Sequence, residues 1–214
     1  MIKKEENNNV SEYSMLYFLK DPPNICTLAG LLCSSIGIYF SVTGKYNYAL
    51  IGVLWSVLFD WADGMIARSL PNRSDYHRAI GMQLDTLIDI ISFSVFPAVF
   101  LASYGKFKPF FLPGAFLIMC GGAVRLSYFN VFGMIDKNTY RGLALDNNVI
   151  ILSFMFLFER LFSYQVFSLV IYIVMVLLLV LNLAPIRTYK FGGKWFYVLA
   201  AYTVIMSVYF AWPR

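Results

Sequence analysis

Long apolar runs most constrain what this chain can fold into. A membrane-crossing helix needs about 20 mostly apolar residues at a rise of about 1.5 Å each. The 214-residue sequence contains seven such stretches: 25–43, 47–67, 80–103, 109–132, 147–163, 166–185 and 195–212. The fifth is the shortest and carries Glu159 and Arg160 near its end. Composition agrees with a membrane origin. Hydrophobic residues make up 59% and charged residues 14%, against about 25% charged in a soluble domain, which excludes a free soluble globule and a disordered chain. The predicted fold is an all-α polytopic membrane helix bundle of about seven transmembrane helices. Residues 10–19 (VSEYSMLYFL) mix polar and aromatic positions and read as a short N-terminal interfacial helix. The expected division is a cytoplasmic segment 1–24 followed by a membrane domain 25–214.

Lys and Arg collect on the cytoplasmic side of membrane proteins. With the N-terminus inside and the sides alternating, twelve basic residues fall inside and five outside, Lys3, Lys4 and Lys137 among the former and Arg214 among the latter. The reverse orientation inverts this bias, so the N-terminus is expected in the cytoplasm. The net charge of +5 is then a matter of topology and anionic headgroups; the basic residues are scattered singly, with no stripe for nucleic acid. Cys26, Cys33 and Cys120 lie in apolar stretches without paired spacing and read as small buried hydrophobes, with no disulfide or zinc site.

Four of the eight Asp sit where a membrane helix ordinarily has none. Asp60 and Asp63 are three residues apart near the end of the second stretch; Asp85 and Asp89 are four apart near the start of the third. Each pair projects from one helix face, and a short cytoplasmic loop joins the two helices, so the faces can meet at similar depth. Four unpaired carboxylates there would repel one another and resist desolvation, and Arg68 alone cannot neutralise them. Two divalent cations can, and oxygen ligands suit Mg²⁺ or Mn²⁺. Gly64 and Ala67, four and seven residues after Asp60, leave that face bare beside the acids; such residues serve equally as helix-packing positions.

The string Asp60-x2-Asp63-Gly64-x2-Ala67-Arg68, followed by Gly81-x3-Asp85-x3-Asp89, resembles the signature of the CDP-alcohol phosphotransferases, membrane enzymes that join an alcohol to a phosphoryl group carried on CMP. Pro23-Asn24-Ile25-Cys26-Thr27-Leu28 resembles the family's entry into its first span. Further segments are similar to the phosphatidylserine synthase branch: Gly81 to Ala98, Arg125-Leu126 with Phe129-Asn130, and Ile186-Arg187 with Tyr189 and Phe191. Departures from the pattern are a longer loop, 69–80, Ser94 where the branch has glycine, and Gly142-Leu143-Ala144-Leu145-Asp146 where it has GLPxP.

The resemblance implies that Asp60, Asp63 and Asp85 hold two divalent cations, Mg²⁺ or Mn²⁺, with Asp89 contributing to the second. It implies Asp89 as the base that takes the acceptor's proton. Gly64, Ala67 and Arg68 would face the CDP-linked lipid, and Asn24 and Thr27 would either hydrogen-bond the nucleotide or cap their helix. Arg125 and Asn130 are the acceptor candidates, the arginine because it can bind a carboxylate bidentately. Arg187 and Lys190 read as positive-inside anchors, His77 as a solvated loop residue, and Trp195, Tyr197 and Trp212 as belt residues. The reaction implied converts CDP-diacylglycerol and L-serine to phosphatidylserine and CMP at the cytoplasmic face. The same chemistry with a polyol phosphate, inositol, choline or another head-group alcohol is the alternative; a polyol phosphate would call on Arg73, Arg78 and Arg141. A cation transporter is the reading from another class, and it predicts inverted repeats or broken helices that the sequence lacks. The family resemblance also implies a homodimer.

Overall fold

Inside a bilayer every backbone amide needs a partner within the protein, and a helix supplies one residue by residue. The computed structural model describes residues 14–71, 73–136 and 138–212. Residues 10–13 of the interfacial stretch, and Lys3, Lys4, Lys137 and Arg214 of the charge count, lie outside these. The chain begins with one turn, α1 (Met15–Phe18), capped by the Ser14 hydroxyl. It continues through α2 (Pro22–Val42), α3 (Tyr46–Ser69), α4 (Asp75–Ile90), α5 (Phe96–Tyr104) and α6 (Leu112–Phe132). After these come α7 (Asp146–Met155), α8 (Tyr164–Leu183) and α9 (Trp195–Ala211).

Among the described residues five helical units are long and apolar enough to cross a membrane: Pro22–Val42, Tyr46–Ser69, Asp75–Tyr104, Pro109–Phe132 and Tyr164–Leu183; Trp195–Ala211 is a shorter apolar helix. The expected fifth span differs. Its α-helix stops at Met155 and a 3₁₀ stretch, Phe156–Leu161, completes it. Ten residues at about 1.5 Å and six at about 2.0 Å reach roughly 27 Å, because 3₁₀ geometry is the more extended. Its two ends make contacts at opposite ends of the bundle. Asp146 accepts a hydrogen bond from Trp61 at one end of the bundle, and Glu159 accepts one from the Tyr104 hydroxyl at 2.9 Å, at the far end of α5.

The α2–α3 hairpin is held by backbone contact. A Cβ built on Gly52 would lie 2.8 Å from the Cys33 carbonyl oxygen and 3.0 Å from the Gly37 nitrogen, and one on Gly37 would lie 3.0 Å from the Ala49 carbonyl. Small residues permit this approach, where dispersion replaces the absent hydrophobic drive between helices in lipid. Between α4 and α5 the helix widens to a π turn, Ile91–Val95, in which the Phe96 N–H reaches the Ile91 carbonyl. Pro97 follows; its ring crowds the Phe93 carbonyl and it has no N–H to give, so the turn must loosen. Serine pairs this turn to α3, Ser56 donating to Ser92 at 3.0 Å. Beyond it an aromatic cluster fills the far half of the bundle, with Phe156 edge-on to Phe100 at 5.2 Å and to Tyr104 at 5.4 Å.

Two features lay outside the sequence expectations. A two-stranded antiparallel ribbon, β1 (Thr139–Arg141) with β2 (Arg187–Tyr189), pairs Tyr140 with Thr188. It is tied off at Gly142, whose φ of +74° suits glycine and whose N–H donates to the Ile186 carbonyl at 2.8 Å. The longer loop also has a structural task. Arg73 forms an ion pair with Asp21, at the N-cap of α2, its Nε lying 3.0 Å from Oδ2. His77 is half-buried and has partners: its Nδ1 lies 2.7 Å from the Ser74 hydroxyl, and its ring packs on Tyr17 and Phe18. The cysteines were expected to be buried, but Cys26 and Cys33 are only half-buried and Cys120 is exposed. Helix faces that meet lipid need not be covered by protein. Trp195, Tyr197 and Trp212 are exposed.

Candidate active site

α3 runs to Ser69 and the chain turns through Pro71 before Ser74 caps α4 by accepting the His77 N–H. This short reversal sets the ends of two helices side by side, and all four acids line one cavity of about 280 Å³. Oxygens of Asp60, Asp85 and Asp89 lie within 4.8 Å of one another. Asp63 stands apart from that trio, its Oδ2 within 2.5 Å of the Thr27 hydroxyl of α2. Among the described residues the ion pair is Arg73–Asp21, so no Lys or Arg lies within ion-pair distance of any of the four. Clustered, unpaired, oxygen-only and free of His or Cys, this donor set fits a hard divalent cation. Asp60, Asp85 and Asp89 are the residues that could hold one, with Asp63 beside them.

The other expected residues divide. Gly64 and Arg68 line the cavity, and nothing but the Arg68 guanidinium comes near a Cβ built on Gly64. Gly64 is therefore open to the cavity and serves no helix packing. Ala67 is not on the wall. Nor are Asn24 and Thr27: Asn24 donates to the Phe18 carbonyl at 2.8 Å, bracing α1, while Thr27 orients Asp63. Gly81 makes room for this bracing, since a Cβ there would lie 2.9 Å from Asn24 Oδ1 and from an Arg73 nitrogen. Of the acceptor pair, Arg125 lines the cavity, with Nε donating to the Leu143 carbonyl at 2.7 Å. Asn130 does not; its Nδ2 donates to the Thr86 hydroxyl at 3.1 Å, joining α6 to α4 beside Asp85.

Sequence reasoning missed Tyr140, Lys190 and Trp61 as wall residues, and treated Asp146 only as a departure from a motif. Tyr140 lies between two cations, Arg125 at 5.9 Å and Lys190 Nζ at 5.5 Å from its ring centre. Burial first, and then the charge of Asp146, push the Tyr140 phenol up to about 12, so it remains a hydrogen-bond donor. Burial, with Arg68 adding to it, holds Lys190 below the usual lysine range. No sequence signal marks these two, because the ribbon that carries them in is a pairing of segments far apart in the chain.

Thr27→Val keeps the shape of the side chain and removes the donor to Asp63. It is expected to cost about 1–3 kcal/mol, the penalty for a buried acceptor left unmet. The readout is a lower thermal-unfolding midpoint in detergent, restored by Thr27→Ser. An unchanged midpoint would show that water replaces the hydroxyl.

The family model described as CDP-alcohol phosphatidyltransferase matches residues 21–209. The chain is 34% identical over 137 residues to the archaetidylserine synthase of Methanothermobacter thermautotrophicus, covering 63% of this chain and 57% of that protein. It is 40% identical over 96 residues to a CDP-diacylglycerol–serine O-phosphatidyltransferase of Saccharomyces cerevisiae, 43% of this chain and 33% of the relative. A protein of the same name from Methanocaldococcus jannaschii is 28% identical over 154 residues, 72% of this chain and 69% of the relative. The chain thus spans between one third and somewhat over half of the first two relatives' own length.

Proposed function

Since the chain belongs to the CDP-alcohol phosphatidyltransferase family, we propose that it transfers the phosphatidyl group of CDP-diacylglycerol to the hydroxyl of L-serine, releasing CMP and phosphatidylserine. The observation that carries the serine reading is Arg125. It is buried on the cavity wall, and its guanidinium forms no direct ion pair among the described residues. An unpaired buried guanidinium beside the acid quartet suits an acceptor that brings its own carboxylate. The relatives named as serine transferases support the same choice. Arg73, Arg78 and Arg141, which a polyol phosphate would need, are not on the wall.

Asp60, Asp63, Asp85 and Asp89 would hold two divalent cations, Mg²⁺ or Mn²⁺. When bound, these supply the positive charge that steadies the diphosphate as CMP leaves. Gly64 lets the nucleotide approach α3, and Arg68 and Lys190 attract its phosphates; Thr27 holds Asp63 in place on that wall. Asp89 accepts the proton of the serine hydroxyl. The oxygen so exposed forms the new bond to the lipid-bearing phosphorus, and the bond from that phosphorus to the CMP oxygen breaks. The aromatic and aliphatic walls near Phe93, Leu126 and Phe129 keep bulk water from competing as acceptor.

In this reading residues 1–24 lie on the cytoplasmic surface, 25–214 form the membrane domain, the cavity opens to the cytoplasm and the enzyme acts as a homodimer. The test is CMP release by the purified protein from CDP-diacylglycerol micelles, with Mn²⁺ or Mg²⁺ and a panel of acceptors. Release that needs both serine and metal, and that EDTA abolishes, is the expected result. Release with glycerol 3-phosphate or inositol in place of serine would keep the chemistry and move the acceptor.

A further inference from the structure

The cavity holds one charged group with no task in this scheme. Asp146, the first residue of α7, lies on the wall but outside the trio of oxygens within 4.8 Å. Its Oδ2 accepts from Trp61 Nε1 at 2.9 Å, and its Oδ1 from the Asn147 N–H at 2.9 Å and Asn147 Nδ2 at 3.2 Å. All three donors are neutral. They orient the carboxylate without cancelling its charge, and no ion pair reaches it among the described residues.

Arg125 stands in the same condition with the opposite sign. It is 8% exposed and donates through Nε to a backbone carbonyl, and its guanidinium forms no direct ion pair among the described residues. Two opposite charges thus share one cavity, close enough to feel each other's field but without a direct ion pair. Attraction across the cavity does not replace a direct partner for a desolvated charge, and a ligand carrying both charges supplies one to each. An acid in the first turn is favourable on any helix, which accounts for tolerance of Asp at 146. It does not require that residue to hold Trp61 or to share a wall with Arg125.

We propose that Asp146 determines acceptor specificity by taking the α-ammonium of a zwitterionic hydroxy-amino acid while Arg125 takes its α-carboxylate. The two contacts fix the acceptor at both ends and leave its hydroxyl for Asp89. This inference rests on the L-serine reading above and adds to it the residue that reads the amino group. An acceptor with a carboxylate and no ammonium leaves Asp146 unmatched, so a site built to pair that group rejects the analogue.

The test compares L-serine with 3-hydroxypropionate, which keeps the hydroxyl and carboxylate and lacks the ammonium. Full-length protein is assayed for CMP release in CDP-diacylglycerol micelles with Mn²⁺. Wild type is expected to prefer L-serine by at least 100-fold in kcat/KM. Asp146→Asn keeps an acceptor for Trp61, so it removes charge more than shape. In that variant the KM for L-serine should rise at least tenfold, about 1.4 kcal/mol. The preference over 3-hydroxypropionate should fall below tenfold, kcat should change less than KM, and Asp146→Glu should recover part of the preference.

A serine KM within twofold of wild type, or equal losses with both acceptors at an unchanged ratio, would overturn the proposal while serine-dependent release by wild type stands. Release by wild type that ignores serine altogether would remove the acceptor reading and this inference together. Should Asp146→Asn not fold, competition on the wild type decides. Inhibition by 3-hydroxypropionate at concentrations within tenfold of the serine KM would mean that the ammonium is not read, and weaker inhibition supports the pairing.

Discussion

Asp89→Asn is expected to lower serine-dependent CMP release by about 10²–10⁴-fold, the range over which a positioned general base contributes. Asn is close to Asp in size and keeps one carbonyl oxygen. The variant should therefore fold, and its elution and unfolding midpoint in detergent should match wild type. What it loses is the group that accepts the acceptor's proton and one negative charge of the trio within 4.8 Å. Each tenfold corresponds to about 1.4 kcal/mol of barrier, so even the lower bound is readily measured. Folded Asp89→Asn that turns over within a few-fold of wild type would mean that another group takes the proton, and Asp85 would be the next to replace.

Gly52→Val should act on the scaffold. The added Cβ meets backbone atoms, the Cys33 carbonyl oxygen at 2.8 Å and the Gly37 nitrogen at 3.0 Å. Backbone has no rotamer to give, so α2 and α3 must separate. Overpacking of this kind costs about 1–3 kcal/mol and sometimes more, and lipid offers no compensating hydrophobic gain. The expected result is a large loss of monodisperse protein and a depressed unfolding midpoint. Material that survives should also be less active, because Thr27 on α2 and Asp63 on α3 meet across this same hairpin. Normal yield and midpoint would show that the hairpin slides without cost.

The membrane character and the acid quartet were legible because each depends on local spacing. Runs of about 20 apolar residues announce spans whatever their neighbours do, and acids three or four apart on a helix must share a face. Antiparallel joining by a short loop then brings Asp60 and Asp63 to the level of Asp85 and Asp89 with little freedom left. The fifth span was harder to read. Glu159 looked like an interruption, and its cost is met by a hydrogen bond from Tyr104, a residue 55 positions away.

Asn24 and Thr27 show the same boundary from the other side. Their place at the start of α2 follows from the sequence, but their use follows from packing: Asn24 braces α1 and Thr27 holds Asp63. Tyr140 and Lys190 enter the cavity on a ribbon pairing residues 139–141 with 187–189, and Asp146 becomes a wall residue only because α7 starts beside Trp61. Periodicity and steric limits along one helix therefore reveal the spans, the face that bears the acids and the oxygen chemistry they invite. Which distant groups close the cavity, which charges in it go unpaired, and hence which acceptor it suits, depend on how helices and ribbon pack, since those contacts join residues that no local repeat relates.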